Sequence, residues 1–342
     1  MGMNKFMDSH GGYTRNFYDS MGAFLTGELE KLDPRIHQPL MEFTYHRDLP
    51  IRSDATIGDE YTSFMWNSLG AVGGLKSRGK NWFSKEGNVI GAAQIDLQKA
   101  INSFPLWAMG VDYDLPELAS AEQLGRSVDQ MKIDALQMKH QSDADELAYV
   151  GDTDLALKGL ANSADIVVDL AVDGAQGVPF WGDNKKTALE ILNDINGLLD
   201  AAWKQSGLAV PPSNLLLPPD AFSPLLKPVT EAGDKSVMTY VKENNIFTNV
   251  TGRELKILPV KWLDDIGTPV TVSSTSYKTG RAVAYTPKEN YVRLPITPLL
   301  RTNVQYDLLK VKFAYYGRMG GVEIVYPDTI HYLDGITQGT AA

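Results

Sequence analysis

Residues 70–77, GAVGGLKS, nearly match the G-x-x-x-x-G-K-S pattern with which a glycine-rich loop binds phosphate. In that pattern the second glycine lets the backbone approach the phosphate, and the N-terminus of a helix follows. Here Leu75 stands in place of that glycine, and the following segment, RGKNWFSKEG, lacks a helical pattern. The sequence therefore predicts an exposed, positively charged loop rather than a nucleotide site.

Three carboxylates, Asp143, Asp145 and Glu146, stand close together near the end of a long helical pattern. Carboxylate oxygens bind hard cations, so a metal site is one interpretation of their spacing, although a solvated helix face is the commoner explanation. Acidic groups at a helix C-terminus are unfavourable against the helix dipole. This mismatch leads to the hypothesis that the carboxylates meet basic residues of a neighbouring molecule. The basic residues that we expect there are Arg78, Lys80 and Lys85.

Other residue types that carry chemistry are scattered or missing. The histidines, at positions 10, 37, 46, 140 and 331, fit no metal-ligand spacing. The chain has no cysteine, which excludes disulfides, thiolate zinc sites and cysteine nucleophiles. Asp152 and Asp154 are expected to form a turn rather than to catalyse. We predict no cofactor, no metal and no enzymatic activity; a soluble metal-dependent enzyme is the less favoured alternative, since it needs a convergent site.

Composition sets further limits. The chain has 342 residues, of which 43% are hydrophobic and 22% charged, close to the averages of globular proteins. Its formal net charge of −10 argues against tight, general nucleic-acid binding, which needs a basic surface. No run of 18 apolar residues predicts a membrane span, and residues 1–22 lack the apolar region of a signal peptide.

A helical pattern over residues 114–150 would position the three carboxylates. Asp114 and Glu117 resemble a capping box at its start, and Gly151 is a suitable end. A helix of about 30 residues would be roughly 45 Å long, so we expect it to be a long, rigid support of the fold. The apolar stripe predicted to face the core contains Leu124, Val128, Met131, Ala135 and Met138.

Residues 51–98 form a long, polar stretch interrupted by glycines. Residues 61–66 (YTSFMW) predict a strand, and residues 87–94 (GNVIGAAQ) predict its partner. A two-stranded ribbon is marginal alone, so we expect it to lie on a neighbouring subunit. Residues 1–35 are either a flexible tail or an arm that orders on a neighbour, and their five aromatic residues favour the arm.

The rest of the chain mixes helices and strands. Amphipathic helices are predicted at residues 183–203 and 236–244, the first with Ala188, Leu192, Ile195, Leu199 and Ala202 on one face. Strands are predicted at residues 40–49, 215–217, 255–260, 281–285, 291–296, 308–315 and 322–326. Because the order is not a regular βαβ alternation, the predicted fold class is α+β.

Several segments, taken in order, carry a family resemblance. They are ELAYVGD at 146–152, NDINGLL at 193–199, NLLLPPD at 214–220, RAVAYTPKENYVRLP at 281–295, GGVEIVYP at 320–327 and IHYLDGI at 330–336. Together they resemble the major capsid proteins of tailed phages, with the Hong Kong 97-type fold, and in particular a phage capsid family related in fold to encapsulins. The resemblance covers about residues 40–338.

The resemblance implies a division into an N-terminal arm, a peripheral (P) domain with a long spine helix, an extended E-loop and an axial (A) domain. The implied order is: 1–39, N-terminal arm; 40–50, P-domain strand; 51–98, E-loop; 99–150, P-domain with the spine helix; 151–287, A-domain; 288–326, P-domain strands; and 327–342, the strand that closes the A-domain and the C-terminus.

The resemblance also implies a function. The chain is expected to assemble into hexamers and pentamers of an icosahedral head that encloses phage double-stranded DNA, in the virion capsid, after assembly in the bacterial cytoplasm. Expected partners are copies of itself, a portal protein, a separate scaffolding protein and a decoration or cement protein, with enclosed DNA in weak proximity. An encapsulin-like compartment is the alternative. The expected inter-subunit contacts are Trp66, Lys76, Arg78, Lys80, Trp82, Phe83, Lys85, Asp143, Asp145 and Glu146.

Overall fold

The computed structural model describes residues 41–71, 93–117, 128–182, 185–229 and 235–341, with the backbone alone for residues 67–71, 93–96 and 128–129. The chain divides into two units, residues 1–42 and 43–342, and the description concerns the second.

The helices of the described ranges differ widely in length. They are α1 (Tyr45–Asp48), α2 (Val128–Tyr149), α3 (Ala188–Gln205), α4 (Phe222–Leu225), α5 (Val237–Glu243) and α6 (Ile246–Thr251). The strands are β1 (Ile51–Arg52), β2 (Tyr61–Ala71), β3 (Ala93–Ser103), β4 (Leu106–Asp114), β5 (Gly151–Asp152), β6 (Leu157–Lys158), β7 (Val168–Leu170), β8 (Asn214–Leu217), β9 (Lys256–Pro259), β10 (Gly267–Val272), β11 (Thr275–Tyr285), β12 (Val292–Pro295), β13 (Leu300–Arg301), β14 (Gln305–Asp307), β15 (Lys310–Arg318), β16 (Glu323–Ile324) and β17 (His331–Ala341).

A six-stranded sheet separates two hydrophobic cores. Its strands run in the order β7-β17-β11-β8-β9, with β10 paired to β11. On β11, Ala282 and Ala284 belong to the core on one face, while Val283 and Tyr285 belong to the core on the other. Strands buried on both faces read as continuous apolar runs, which explains why NLLL and RAVAY predicted strands correctly at β8 and β11.

The first core forms where α3 packs on the sheet. Thr187 and Glu190 make a capping box, so the helix begins at Ala188 rather than at residue 183. Four of the five positions predicted to face the core are buried, which confirms the amphipathic pattern. They are Leu192, Ile195, Leu199 and Ala202. The predicted helix at 236–244 is α5, capped by Ser236.

The second core packs against the C-terminal half of α2, and here the predicted stripe is wrong. Met131 is 38% exposed, Ala135 is also exposed, and Met138 is only partly buried. The buried row instead contains Leu136, His140, Ala144 and Ala148. This i, i+4 row includes a histidine, so it does not stand out in the hydrophobic pattern. Residue 124 lies outside the described ranges, and the side chain of residue 128 is not described.

The predicted strand at residues 40–49 is also wrong, since α1 forms there. The N–H groups of Thr44 and Tyr45 donate to Asp145 Oδ1 at 2.8 and 3.0 Å, so a carboxylate from α2 satisfies donors at the start of this short helix. Tyr45, Asp48 and Leu49 are buried, at helical spacing. A distant residue therefore fixes this conformation, which local alternation does not reveal.

A smaller sheet of β13, β15 and β14, with β4 along the other side of β15, carries a third apolar cluster. Val111, Tyr113, Leu136 and Phe313 form that cluster. Strand β4 was not predicted, because most of its residues are exposed and its sequence, LWAMGVDYD, alternates poorly. The predicted tail strands at 255–260, 291–296, 308–315 and 322–326 correspond to β9, β12, β15 and β16, with shifted ends.

Candidate assembly surfaces

Strands β2 and β3 form an antiparallel ribbon that, among the described strands, pairs with no other. Eleven residue pairs run in unbroken register from Tyr61–Ser103 to Ala71–Ala93, a length of roughly 36 Å at about 3.3 Å per residue. The strand at residues 61–66 is confirmed. Its partner is β3, which includes Ala93 and Gln94 of the predicted 87–94 segment and runs on to Ser103, past the predicted boundary at residue 98. Residues 87–92 of that segment lie outside the described ranges.

One face of the ribbon carries several exposed apolar side chains. Residues opposite each other share a face, so Tyr61, Met65, Leu97 and Ile101 lie together. Their exposed fractions are 65%, 70%, 69% and 61%. Lys99 lies opposite Met65 on the same face, and exposed apolar side chains grouped in this way mark an interaction surface.

The opposite face of the ribbon borders a groove of about 560 Å³. Phe64 and Trp66 line it from the ribbon, and Ile324 and Tyr326 line it from the body of the subunit. Trp66 is 37% exposed, and its indole N–H donates to Gln98 Oε1 at 2.9 Å. The hydrogen bond joins the two strands, so the Trp66 ring is held in a fixed position at the groove.

The base of the ribbon is anchored by arginines. Arg318 donates from Nε to the carbonyl oxygen of Ile57 at 2.7 Å and from Nη1 to that of Phe104 at 2.6 Å. Arg52 and Arg293 both pair with the fully buried side chain of Glu323, at 2.9 and 2.5 Å. The ribbon therefore projects from a fixed root.

The three predicted carboxylates do not form one cluster. Asp145 is fully buried and accepts hydrogen bonds from Thr44, Tyr45 and the Trp262 indole. This position does not fit the hypothesis of an inter-subunit role for Asp145, because its oxygens have partners inside the subunit. Two residues along a helix turn a side chain by about 200°, which places Asp143 on another face.

Asp143 and Glu146 do share a surface pocket of about 500 Å³ with Leu106, Trp107 and Leu155. Asp143 accepts from Trp107 Nε1 at 3.0 Å and from Lys139 at 2.5 Å, while Glu146 is exposed. The pocket thus combines apolar walls with carboxylates, which suits a basic and aromatic partner. Of the other predicted contacts, Trp66 lies at the groove. Lys76, Arg78, Lys80, Trp82, Phe83 and Lys85 lie outside the described residues.

His140 is a feature of this region to which the sequence assigned no role. The side chain is buried, its ring meets Trp107 edge-on at 4.8 Å, and Nε2 has no hydrogen-bond partner in the structure. Burial lowers the pKa of His140, which keeps the ring neutral at physiological pH. Its role is therefore in packing between α2 and β4.

The sequence motifs weighed as catalytic give no site in the described ranges. Gly70 and Ala71 of the phosphate-loop motif lie in β2, and its remaining residues, 72–77, lie outside those ranges. Asp152 accepts from the N–H groups of Asp154 and Leu155, which confirms the predicted turn. Across the residues described, no group of three or more histidine and acidic side chains is arranged to hold a metal ion. Nor does any described helix have the length and apolarity needed to span a membrane.

Comparisons with solved structures relate this fold to phage capsids. The chain of the capsid of Myoviridae phage XM1 matches with a TM-score of 0.70 at 19% identity, covering 92% of this chain and 99% of that one. The capsid of a native GTA particle matches with a TM-score of 0.58 at 12% identity, covering 90% and 95%. A chain of Mycobacterium phage Ogopogo matches with a TM-score of 0.53 at 12% identity, covering 94% and 99%. These similarities show the α+β fold of the phage capsids.

A family model identifies the chain itself. No curated protein matches the sequence. The model of the major capsid protein family matches residues 79–336, which is most of the chain. The protein therefore belongs to the major capsid protein family and is a structural protein of a self-assembling capsid shell rather than an enzyme.

Proposed function

We propose that copies of this chain form hexamers and pentamers that close into an icosahedral phage head around double-stranded DNA, with the ribbon of each subunit lying on the next. The observation that carries this proposal is the exposed apolar face of the ribbon, at Tyr61, Met65, Leu97 and Ile101. A ribbon that pairs with no other described strand gains stability when a neighbour covers that face. Because the covering surface differs from the ribbon, the contact is heterologous and can close rings.

Rough magnitudes favour many weak contacts over one strong contact. Burying an apolar side chain of this size contributes about 1.5–3 kcal/mol, so the four together give roughly 6–12 kcal/mol. Association costs about 4–15 kcal/mol in lost freedom. One ribbon is thus marginal, and misplaced subunits can leave a growing shell. Simultaneous contacts around each subunit then make the closed shell persist.

The acidic pocket at the end of α2 is the proposed seat of a neighbour's E-loop. Asp143 and Glu146 supply negative charge beside the apolar walls at Leu106 and Trp107. The basic and aromatic residues proposed to enter it are Lys76, Arg78, Lys80, Trp82, Phe83 and Lys85. Residues 1–39 would add a further tie between subunits. The same proposal includes three further partners, which are a portal protein, a separate scaffolding protein and a cement protein. It also includes assembly in the host cytoplasm.

Shortening the ribbon tests the proposal. Trp66 and Gln98 lie directly opposite each other, so replacing residues 67–97 with Asn-Gly closes the hairpin in register. We expect the shortened subunit to fold with a Tm near that of the wild type and to form no shells by negative-stain microscopy. Asn-Gly in place of Ser273 and Ser274 is the control, since it changes a turn without removing the ribbon.

Shells of the shortened chain at wild-type yield would contradict the role of the ribbon. The contents of wild-type particles separate the head from the encapsulin-like compartment. Nuclease-protected double-stranded DNA in particles purified from infected cells is the result expected for a head. A stoichiometric protein cargo without DNA would favour the compartment.

A further inference from the structure

Three segments of the chain meet at one end of the six-stranded sheet and enclose a cavity of about 660 Å³. Strands β8 and β9 run parallel, so both begin at this end, and the antiparallel strand β11 ends there. The N–H of Lys256 donates to the carbonyl oxygen of Ser213 at 3.1 Å, and the N–H of Ser213 donates to that of Tyr285 at 3.1 Å. Backbone hydrogen bonds between the segments therefore fix the walls of the cavity.

The lining of this cavity is rich in positive charge. Arg253, Lys256 and Lys288 line it, and the one acidic residue among the described residues of the lining is Glu254. Glu254 pairs with Lys242 at 3.2 Å, so its charge is already compensated. Within the described part of the chain, no ion pair involves the three basic groups. The cavity thus differs in sign from the chain as a whole, which carries a net charge of −10.

The hydroxyl groups of the lining are occupied inside the subunit. Ser213 Oγ donates to Asn214 Oδ1 at 3.2 Å, and Thr286 Oγ1 donates to the carbonyl oxygen of Pro211 at 3.1 Å. The lysine and arginine groups remain as the donors that can serve a ligand. Ammonium and guanidinium groups donate hydrogen bonds and accept none, so a fitting ligand is an acceptor that carries negative charge.

Helix α6 ends beside the cavity, and the carbonyl groups at a helix C-terminus repel an anion. Two of these carbonyl groups have partners. The N–H of Gly252 donates to the carbonyl oxygen of Thr248 at 2.8 Å, and Thr251 Oγ1 donates to that of Phe247 at 2.6 Å. A helix end is equivalent to about half an elementary charge, which three full positive charges outweigh.

We propose that this cavity binds a phosphate group. A phosphate group carries between one and two negative charges at neutral pH and offers several acceptor oxygens, which suits a site with three cationic donors. Tyr291 lines the same cavity, with Lys288 Nζ 5.7 Å from its ring centroid. Free phosphate and the backbone of a nucleic acid present this same chemistry. The site is independent of the proposed shell function, because its residues all belong to one subunit.

Calorimetric titration of the full-length, unassembled chain tests the site, with sodium chloride used to hold the ionic strength constant. Inorganic phosphate is expected to bind saturably to the wild type. Lys256→Gln combined with Lys288→Gln should weaken this binding at least about tenfold, because two of the three cations are lost. Both lysines are exposed, so the Tm should stay close to that of the wild type.

The matched control is Lys204→Gln combined with Lys235→Gln. It removes the same charge at two exposed lysines that lie outside the cavity, where they pair with Asp200 and Glu243. Phosphate binding by this control should equal that of the wild type. If the control lost binding as much as the cavity variant, general charge rather than the cavity would be responsible, and the proposal would be overturned.

A short DNA duplex, titrated in place of inorganic phosphate, identifies the source of the group. Binding of inorganic phosphate that depends on Lys256 and Lys288 supports a site for the free ion. Binding of the duplex alone, with the same dependence, supports a site for backbone phosphates. Failure of both probes to bind, or equal binding by the cavity variant and the wild type, would overturn the proposal. A chain that binds phosphate but forms no shells would refute the proposed function instead.

Discussion

The indole N–H of Trp262 donates a 2.7 Å hydrogen bond to Oδ2 of Asp145, whose other oxygen accepts the N–H groups of Thr44 and Tyr45. The carboxylate is fully buried, and Lys261 Nζ lies 3.6 Å away. A single side chain on α2 thereby joins two segments that lie far from it, and from each other, along the chain.

Removing this carboxylate should destabilise the subunit strongly. Asp145→Ala leaves two buried backbone N–H groups and the part-buried indole N–H of Trp262 without this acceptor, for which we expect a loss of about 3–5 kcal/mol in the free energy of unfolding. Chemical denaturation measures it. Glu146→Ala, at the next residue of the same helix but exposed, should change the value by less than about 0.5 kcal/mol. Equal effects of the two changes would contradict the role assigned to Asp145.

Making the outer face of the ribbon polar should separate folding from assembly. Met65→Ser combined with Ile101→Thr alters two exposed positions, so the free energy of unfolding should change by less than about 0.5 kcal/mol. The concentration needed for shells should rise at least about tenfold, which corresponds to about 1.4 kcal/mol of lost contact. Light scattering during assembly and sedimentation of the products provide the two readouts.

Thr62 offers a control for that experiment on the inner face of the ribbon. Its side chain is buried, and Oγ1 has no hydrogen-bond partner in the structure. Thr62→Val should therefore raise the stability of the subunit by about 1 kcal/mol without affecting assembly. If Thr62→Val impaired assembly as much as the double change, the distinction between the two faces would be lost.

Reversing the charge of Glu146 tests the acidic pocket. Glu146 is exposed beside the apolar walls of the pocket, so Glu146→Lys should leave the subunit folded and slow shell formation, most clearly at low salt where charges are least screened. Glu289→Lys makes the same change at another exposed position. Assembly rates that match for the two variants at low salt would argue against a basic partner in the pocket.

The stability of the subunit should depend on the ionisation of Asp264. Partial burial, with Asp220 and Asp265 nearby, raises the pKa of Asp264 to about 6. A carboxyl group whose pKa is higher in the folded chain than in the unfolded chain lowers stability as the pH rises between those two values. Asp264→Asn should therefore raise the Tm at pH 7 and change it little at pH 4.

Asp54 is the control of opposite sign. A hydrogen bond from Arg52 lowers the pKa of Asp54, so its contribution is present at neutral pH and is lost in acid. Asp54→Asn should lower the Tm at pH 7, if only slightly because the side chain is exposed, and should have no effect well below pH 4. A rise in Tm for both variants at pH 7 would contradict the opposite effects on stability that we assign to the two ionised carboxyl groups.

The sequence predicted best those elements whose burial is visible in their own residues. Strands β8 and β11 are apolar on both faces, and α3 carries its buried residues at helical spacing behind a capping box. Their local patterns agree with their surroundings in the fold, which is why they could be identified without a structure.

Elements stabilised by polar contacts were missed for a common reason. Helix α1 depends on Asp145, about a hundred residues away, and the buried row of α2 passes through His140. The hypothesis that treated Asp143, Asp145 and Glu146 as one set failed at Asp145 because neighbours in sequence point to different faces of a helix. No local pattern distinguishes a carboxylate that holds the interior together from one that faces solvent.

Strand β15 begins at Lys310 and ends at Arg318, whose guanidinium group donates hydrogen bonds to the carbonyl oxygens of Ile57 and Phe104 at the root of the ribbon. Its nine residues span about 30 Å of extended chain that scarcely stretches or shortens. The strand therefore keeps a fixed distance, inside each subunit, between the β14–β15 turn and the root of the ribbon.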